Sequence, residues 1–427
     1  MGHRLRVSGL DMVLPQAVID NPWMCATCKG TRHLCGERVC PLIAEVLHVQ
    51  RINRSLGQAV FGSSPPSLFV GEKGYPFVYT GPMVPTFRND TSLYEDSSKW
   101  IDLDFSQLVS MRLSLIRGMF RIDSSKPTEG QASLIQELAM SSRPVDAELK
   151  LVKPPGNTPS FSFYTAPMGP FAPLERIVYI DNPRVPKPVE RIVGDAELGA
   201  AEAMVELWRC GISDVHINRL LSVGLLGRKR KLVPTKWGIT AVDDTLSKRA
   251  LNQIRDFPLL DRYATGRFKA LGNTFSVILI PSKWRFEMLE SWIPYLGIVD
   301  RGESVIPCDY EGSTGRTRYA YSLGGAYYAA KLGVVEALQR LGRQAAALVL
   351  MEVDRGWIAP LGVWRIREGV RRAMTTLKFS DSFEESFNEA VKEMQTHRNS
   401  WIRNSAVLLE TLKSVKLEKF FDQSHPS

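Results

Sequence analysis

Histidine is among the scarcest residue types in this chain of 427 residues, which contains only 6. The histidines are scattered along the sequence, at His3, His33, His48, His216, His397 and His425. A catalytic zinc centre of the three-histidine type needs imidazoles that converge on one ion. Such dispersed histidines argue against that class of enzyme.

Long apolar runs are also missing, since no segment approaches the roughly 20 residues that a membrane-spanning helix needs. One of the longest candidates, Phe275–Pro281, stops at a proline. The N-terminal Met1–Val7 is charged and lacks the apolar stretch of a secretory signal peptide. The balance of 44% hydrophobic and 23% charged residues is ordinary for a globular protein. We therefore expect a soluble, cytoplasmic protein with no membrane partner.

Cysteine is rare too, but four of the 6 cysteines cluster near the N-terminus. Cys25, Cys28, Cys35 and Cys40 have the spacing C-x2-C-x6-C-x4-C. Zn²⁺ prefers four tetrahedral ligands, and a C-x2-C pair supplies two of them from one tight turn. The cluster predicts a structural zinc site that holds residues 1–45 together, because so short a segment has too small a core to fold without an ion.

Other uses of these cysteines stay open. An iron–sulfur cluster is held by the same thiolate ligands. Two disulfides need an oxidising compartment, against which the missing signal peptide argues. A redox pair does not need the second pair of cysteines. His33 is an alternative fourth ligand, although a solvent-facing histidine in the turn is the simpler interpretation.

The chain is moderately basic, with a net charge of +9, which is compatible with a nucleic-acid partner. One segment without acidic residues holds six candidates for contact with nucleic acid: Arg228, Lys229, Arg230, Lys231, Lys236 and Trp237. Lys and Arg bind phosphates through charge-assisted hydrogen bonds, and an indole stacks on a base. The alternative is a solvated helix end, where cations offset the helix dipole.

Two carboxylate pairs are candidate metal ligands. Asp243 and Asp244 follow the basic segment and could bind a hydrated Mg²⁺ near phosphate, as weak candidates for catalysis. The alternative is that one of them caps a helix over residues 245–254. Asp102 and Asp104 share a face if they lie on a strand. A single pair of this kind does not define a metal site.

A glycine-rich segment over residues 312–328 contains hydroxyls, tyrosines, Arg316 and Arg318, directly before a predicted helix. Glycines at the entry to a helix can cradle an anion, which makes both arginines candidates for nucleic-acid or nucleotide contact. The pattern is not that of a P-loop. The alternative interpretation is that the tyrosines, which recur at helical spacing, are packing residues of a core.

An apolar knob lies in the polar C-terminal segment. Leu417, Phe420 and Phe421 would share a single turn, close to a charged end of the chain. Such a knob fits a hydrophobic pocket on a partner protein. Packing against the parent domain is the alternative.

Short β-rich runs broken by Gly and Pro dominate residues 61–190, and helical spacing with apolar strands dominates the rest. This order predicts an α+β fold, with a mixed α/β core of two packed halves. We expect four parts in chain order: a zinc-binding module over 1–45, the N-terminal half of the core over 46–265, its C-terminal half over 266–380 and a helical tail over 381–427.

With these segments the chain resembles a known family, the archaeal Nre DNA repair proteins. Eight motifs carry the resemblance, in family order over most of the chain: Cys25–Pro41, Ser64–Ser67, Ser142–Asp146, Asp181–Pro186, Leu225–Trp237, Ala241–Thr245, Leu323–Ala330 and Gly362–Gly369. Each motif alone is common, whereas the combination is specific.

The resemblance implies DNA damage repair, a zinc module at the N-terminus and recruitment by the sliding clamp, a PCNA-type ring. The clamp-binding motif (PIP motif) has the form Q-x-x-h-x-x-a-a. Leu417 matches its aliphatic position, Phe420 and Phe421 match the aromatic pair, and Ser414 stands where the motif has glutamine. Serine removes one side-chain anchor and leaves the hydrophobic plug, so we expect weaker clamp binding. The resemblance carries over no catalytic residue.

Three functions are compatible with the sequence. The first is a nucleoid-associated DNA repair factor that the clamp tethers to DNA. The second is a metal-dependent, nuclease-like enzyme acting on nucleic acid or a nucleotide, in which Asp243, Asp244 or the 312–318 loop shares a cleft with the cations at 228–231. The third is a non-catalytic scaffold whose basic segment is only solvated. The scaffold predicts no salt-dependent DNA binding.

Overall fold

The computed structural model describes ten stretches of the chain, at residues 4–7, 10–13, 34–36, 57–156, 159–293, 299–300, 303–304, 306–354, 356–357 and 359–413. The chain divides into two compact units. The N-terminal unit contains Cys28–Leu246 and Ala359–Arg365, and the C-terminal unit contains Met1–Thr27, Ser247–Ile358 and Ile366–Ser427.

The first two strands, β1 (Arg4–Val7) and β2 (Leu10–Val13), pair with each other. The N-terminal unit has a six-stranded sheet of order β3-β7-β8-β6-β5-β4. All neighbours pair antiparallel except β6 and β8, which are parallel. These strands are β3 (Ala59–Ser64), β4 (Leu68–Val70), β5 (Phe77–Val84), β6 (Ile116–Asp123), β7 (Val145–Leu151) and β8 (Phe171–Ile180).

Strand β7 shows how the sequence divides the two faces of this sheet. Val145, Ala147, Leu149 and Leu151 are buried, and the residues between them are partly exposed. Because side chains alternate across a strand, the apolar set covers the core and the polar set faces outward. The helices of this part of the chain are α1 (Ser97–Trp100), α2 (Phe105–Leu113), α3 (Ala132–Met140), α4 (Lys187–Gly194), α5 (Ala200–Arg209), α6 (Asp214–Ser222) and α7 (Thr235–Ile254).

Asp104 caps a helix, so the interpretation of Asp102 and Asp104 as a carboxylate pair on a strand is wrong. The Asp104 carboxylate accepts a hydrogen bond from the backbone N of Gln107 (2.8 Å), and the Gln107 side chain accepts one from the backbone N of Asp104 (3.1 Å). This capping box satisfies backbone donors at the start of α2. Asp104 therefore marks the start of α2.

A second six-stranded sheet, of order β14-β11-β15-β10-β9-β16, forms the C-terminal unit. Strands β11 and β15 are parallel, and the other neighbours are antiparallel. Every residue of β10 and β15 is buried, as expected for largely apolar strands in the middle of a sheet. The strands after β8 are β9 (Tyr263–Ala270), β10 (Asn273–Ile280), β11 (Phe286–Trp292), the pair β12 (Val299–Asp300) and β13 (Glu303–Ser304), then β14 (Cys308–Glu311), β15 (Ala346–Val353) and β16 (Lys378–Ser380).

Four helices follow, and they confirm a mixed α+β fold. They are α8 (Gly325–Leu341), α9 (Trp364–Ala373), α10 (Phe383–Val391) and α11 (Arg398–Asn404). The apolar strands predicted for this part of the chain include β10 and β15, and the helix predicted at the glycine-rich segment is α8. Residues 406–413 are also helical, so the described chain after β16 contains separate helical segments and no single long helix. Between α10 and α11 the Glu352 carboxylate accepts hydrogen bonds from the backbone N atoms of Gln395 and Thr396 (3.0 and 2.7 Å), which holds the break.

Over the stretches that the structure describes, no helix combines the length and apolar character needed to cross a membrane. The four-part division of the chain predicted above stays a prediction.

Candidate nucleic-acid interface

The basic segment lies in a loop, and the interpretation as a helix end is wrong. Helix α6 ends at Ser222 and α7 begins at Thr235, so residues 223–234 connect them. The backbone N of Leu232 donates to the Ser124 carbonyl (2.8 Å), at the end of β6. The Leu232 side chain is buried. The loop is therefore fixed to the sheet, and its cations project from an ordered backbone.

The four cations of this loop have two different roles. Arg228 donates from Nε to the Glu197 carbonyl (2.6 Å), and Arg230 donates to the Val193 carbonyl (2.6 Å), near the C-terminal end of α4. The last carbonyls of a helix receive no hydrogen bond from within the helix, and a cation at the C-terminal end also offsets the helix dipole. Both arginines thus hold the fold locally. Lys229 and Lys231 are exposed to solvent and are the cations best placed to meet phosphates.

Trp237, in the first turn of α7, packs against Tyr75. The ring centroids are 5.2 Å apart and the planes are inclined by 56°, yet the two residues remain 44% and 46% exposed. Aromatic pairs of this geometry stabilise each other, and exposed ring faces stack on bases. The pair therefore offers two adjacent stacking surfaces.

Lys236 is held beside this aromatic pair. Its Nζ lies 3.2 Å from a carboxylate oxygen of Glu72 and 4.5 Å from the centre of the Tyr164 ring. The ion pair is partly exposed and contributes little to stability. Because its ammonium already pairs with Glu72, Lys236 is less available to phosphate than Lys229 and Lys231.

The end of β6 joins the aromatic pair to the basic loop. The backbone N of Ser124 donates to the Pro76 carbonyl (2.8 Å), next to Tyr75 in the chain, while the Ser124 carbonyl accepts from Leu232. These hydrogen bonds fix both segments at the same end of β6, where their exposed side chains define one candidate surface of the N-terminal unit. We call it the β6-end surface, consisting of Tyr75, Lys229, Lys231, Lys236 and Trp237.

Two carboxylates lie at this surface, Glu72 beside Lys236 and Asp123 at the end of β6. Hydrogen bonds from the backbone and hydroxyl of Ser125 hold the pKa of Asp123 below its ordinary value of 3.8, and the nearby charges of Lys126 and Lys231 lower it further. The lowered pKa keeps Asp123 ionised at neutral pH, so its carboxylate offsets part of the positive charge of the nearby Lys126 and Lys231.

Tyr75 is the member of this surface that sequence reasoning missed, together with Phe77 and Tyr79 on β5. A usable signal was present in Tyr75–Thr80, where aromatic residues alternate with smaller ones. On a strand that spacing puts the aromatic side chains on one face. The contact between Tyr75 and Trp237 joins distant parts of the chain, and no local pattern predicts it.

Asp243 and Asp244 lie in the middle of α7, so the prediction that one of them caps a helix over 245–254 is wrong. Asp243 is fully buried. Among the residues that the structure describes, no three His, Cys, Asp or Glu side chains come together in a way that could hold a metal ion.

Arg316 and Arg318, the other predicted nucleic-acid contacts, belong to the C-terminal unit. Arg316 forms an ion pair with Asp309 (2.8 Å) and donates to the carbonyls of Tyr310 and Tyr319 (both 3.0 Å). These bonds fix the glycine-rich turn from inside. Arg318 is exposed. The segment therefore gives one arginine to structure and leaves the other open to solvent.

The glycine-rich segment rests on a buried polar cluster. Lys331 on α8 pairs with Glu311 at 2.7 Å, and the indole N of Trp284 donates to the same carboxylate (2.9 Å). Burial, then the negative charge of Glu311, raises the pKa of the Tyr327 hydroxyl far above its ordinary value. Tyr327 is a packing residue, as the alternative interpretation of these tyrosines holds.

Most residues of the predicted zinc site and all those of the predicted clamp-binding motif lie outside the described residues. Cys35 lies in a turn and is partly buried, followed by Gly36 with φ +81°. Cys25, Cys28 and Cys40 lie outside the described residues, as do all four predicted clamp-binding residues, Ser414, Leu417, Phe420 and Phe421.

Comparisons with known proteins agree with the resemblance seen in the sequence. The family description "Archaeal Nre, N-terminal" matches residues 34–296, and "Archaeal Nre, C-terminal" matches residues 311–420. No solved structure matches the chain.

Three relatives are similar over most of their length. DNA repair protein NreB of Archaeoglobus fulgidus is 39% identical over 388 residues, covering 90% of this chain and 96% of the relative. DNA repair protein NreA of the same organism is 34% identical, with coverage of 86% and 92%. DNA repair protein NreA of Haloferax volcanii is 36% identical, with coverage of 79% and 83%. The chain belongs to the archaeal Nre family.

Proposed function

We propose that this chain is a DNA repair factor that contacts DNA through the β6-end surface and is brought to DNA by the sliding clamp. The observation that carries the DNA contact is the pair of half-exposed rings, Trp237 and Tyr75, fixed at the same strand end as the loop that exposes Lys229 and Lys231. Stacking surfaces next to exposed cations are typical of proteins that bind nucleic acid. The names of the relatives support the repair role.

A small basic surface gives modest affinity by itself, because each lysine that neutralises a phosphate contributes a salt-sensitive increment. A tether to a ring that already encircles DNA raises the local concentration of the repair factor. Clamp recruitment therefore complements the surface. The proposed place of action is the nucleoid in the cytoplasm.

The proposed clamp contact consists of Leu417, Phe420 and Phe421, with Ser414 at the position of the motif's glutamine. An aliphatic residue and two aromatics on one turn form a plug for a hydrophobic pocket. Isothermal titration calorimetry with the clamp tests it. The variant F420A/F421A should lose detectable binding, whereas Phe379→Ala, at an exposed aromatic in the C-terminal unit, should bind as the parent. Equal affinities of parent and F420A/F421A would contradict clamp recruitment.

A structural zinc ion at Cys25, Cys28, Cys35 and Cys40 is part of the proposal. The left-handed backbone of Gly36, directly after Cys35, supports it because a tight turn around a metal needs such a residue. The ion would link the two halves of the cysteine cluster and takes no part in chemistry.

The DNA contact is tested by fluorescence anisotropy of a labelled oligonucleotide. The variant K229A/K231A should bind more weakly than the parent. The variant K283A/K392A removes the same charge from exposed lysines of the C-terminal unit and should bind as the parent. Equal losses in both variants would assign the effect to net charge and contradict a specific surface.

The alternative of a metal-dependent enzyme has less support. Asp243 is fully buried within α7, where its carboxylate is closed to a substrate arriving from solvent. This placement favours a binding role for the N-terminal unit.

A further inference from the structure

Strand β5 carries two large aromatic residues that are half-exposed to solvent. Phe77 and Tyr79 are 46% and 47% exposed, while Val78 and Thr80 between and after them are fully buried. Alternate residues of a strand share one face, so both rings lie on the outward face of the sheet. Large exposed rings in a row are uncommon on a surface without a partner.

The neighbouring strands extend this row. Tyr79 lies opposite Arg121 on β6, and the Arg121 guanidinium lies 5.1 Å from the centre of the Phe77 ring. Phe171, which starts β8 and is 40% exposed, meets the Tyr79 ring edge-on at 6.4 Å. Three rings and one exposed cation thus line the outward face.

The row continues into the β6-end surface. Phe77 pairs with Asp123 in the register of β5 and β6, and Ser124, the next residue, joins Pro76 to the basic loop. Phe77 is two residues along the chain from Tyr75, whose ring packs against Trp237. We call the whole set the aromatic track, which consists of Trp237, Tyr75, Phe77, Tyr79 and Phe171.

We propose that the aromatic track binds single-stranded DNA, with successive bases stacked on its rings. This inference rests on the proposed DNA contact and names its substrate class. Alternate residues on β5 are about 6.8 Å apart, whereas bases in a duplex rise by about 3.4 Å per nucleotide. A strand must therefore be unstacked before its bases can occupy separate rings, which a paired duplex does not allow. Every base has a π-face, so such a track accepts any sequence.

Charges beside the rings fit a single strand that runs along them. Arg121 lies beside the Phe77 ring, and Lys231 is near Asp123, the residue that pairs with Phe77 in the register of β5 and β6. Guanidinium and ammonium groups pair with backbone phosphates. Asp123 stays ionised and offsets part of this positive charge, and Glu72 pairs with Lys236.

The test compares three labelled probes of equal length by fluorescence anisotropy: a single strand, the same strand without bases, and a duplex. Tyr79→Leu keeps apolar bulk and removes the stacking ring. It should weaken binding of the single strand about fivefold to a hundredfold and leave the affinities for the abasic strand and the duplex within about twofold of the parent. Phe77→Leu provides a second variant with the same expectation.

Phe379→Leu is the matched control, because Phe379 is also half-exposed and lies beneath an arginine, Arg262 at 5.5 Å, in the C-terminal unit. It should bind all probes as the parent does. Thermal unfolding of each variant checks that the fold is intact.

Two results overturn the inference. One is a Tyr79→Leu variant that binds the single strand as tightly as the parent; the other is an equal loss on all three probes. If K229A/K231A still loses DNA binding in the same samples, the proposed DNA contact stands while the single-strand inference fails. If neither variant changes any affinity, both fail.

Discussion

Lys331 and Glu311 form an ion pair with 2.7 Å between Nζ and Oε1, although their side chains are 2% and 0% exposed. Lys331 comes from α8 and Glu311 from the end of β14, so the pair joins helix to sheet in the C-terminal unit. A second donor, the Trp284 indole, satisfies the same carboxylate. Buried charges with full hydrogen bonding favour one arrangement of the surrounding structure.

Replacing Lys331 by Met should lower the free energy of unfolding by about 3–5 kcal/mol, because Glu311 is then a buried charge without its counter-ion. Lys378→Met is the control, since Lys378 pairs with Glu389 at the surface and exposed pairs contribute about 0–1 kcal/mol. Urea unfolding measures both. Losses of the same size would show that the buried pair has no special role.

Arg230 and Lys229 are neighbours in the basic loop with different expected effects on stability. Arg230 donates to the Val193 carbonyl at the end of α4, and Lys229 faces solvent. Arg230→Ala should cost about 1–2 kcal/mol, typical of a hydrogen bond from a charged group. Lys229→Ala should change stability by less than about 0.5 kcal/mol. Thermal unfolding distinguishes them, and a larger loss for Lys229→Ala would refute this assignment of roles.

His216 makes the N-terminal unit sensitive to acid. Burial, then the positive charge of Arg219, lowers the pKa of the His216 imidazole from 6.5 to about 2. Between these values the unfolded chain binds a proton that the folded chain does not, so stability is lost as the pH falls below 6.5. The loss is about 1.4 kcal/mol for each pH unit.

The variant His216→Gln cannot titrate and should lose about 2 kcal/mol less than the parent when the pH is lowered from 7.5 to 5.0. Urea unfolding at the two pH values measures this difference. Equal acid losses in parent and variant would show that His216 takes up its proton in the folded state.

The elements that sequence could predict are those with strong local patterns. The runs over 274–281 and 344–353 are strongly apolar, and they form the central strands β10 and β15. The start of α7 was missed because the Asp243–Asp244 pair looked like a cap, although Pro234 directly before the helix was the better signal.

The candidate site was predictable only in part, since its chemistry depends on long-range contacts. The cations at 228–231 look alike in sequence, and only the folded loop turns Arg228 and Arg230 toward carbonyls. Likewise Arg316 and Arg318 look alike in sequence, but the folded turn holds Arg316 in hydrogen bonds and leaves Arg318 exposed. No local pattern contains the contact between Trp237 and Tyr75.

The cysteine cluster predicts a bound metal that can be measured directly. Inductively coupled plasma mass spectrometry of the purified parent should find about one zinc ion per chain. The variant C25S/C28S should lose the zinc, and Cys210→Ser should retain it, because Cys210 is an exposed cysteine far from the cluster in sequence. Iron in the parent, or zinc retained by C25S/C28S, would contradict the proposed site.

The most direct test of the central claim is the salt dependence of DNA binding by the full chain and by K229A/K231A. The logarithm of the binding constant for a duplex should fall linearly with the logarithm of the salt concentration, with a slope of about −0.9 for each neutralised phosphate. If Lys229 and Lys231 each meet a phosphate, the variant's slope is shallower by about 1.8. A parent that binds no DNA, or a variant with the parent's slope, would contradict DNA contact through the β6-end surface.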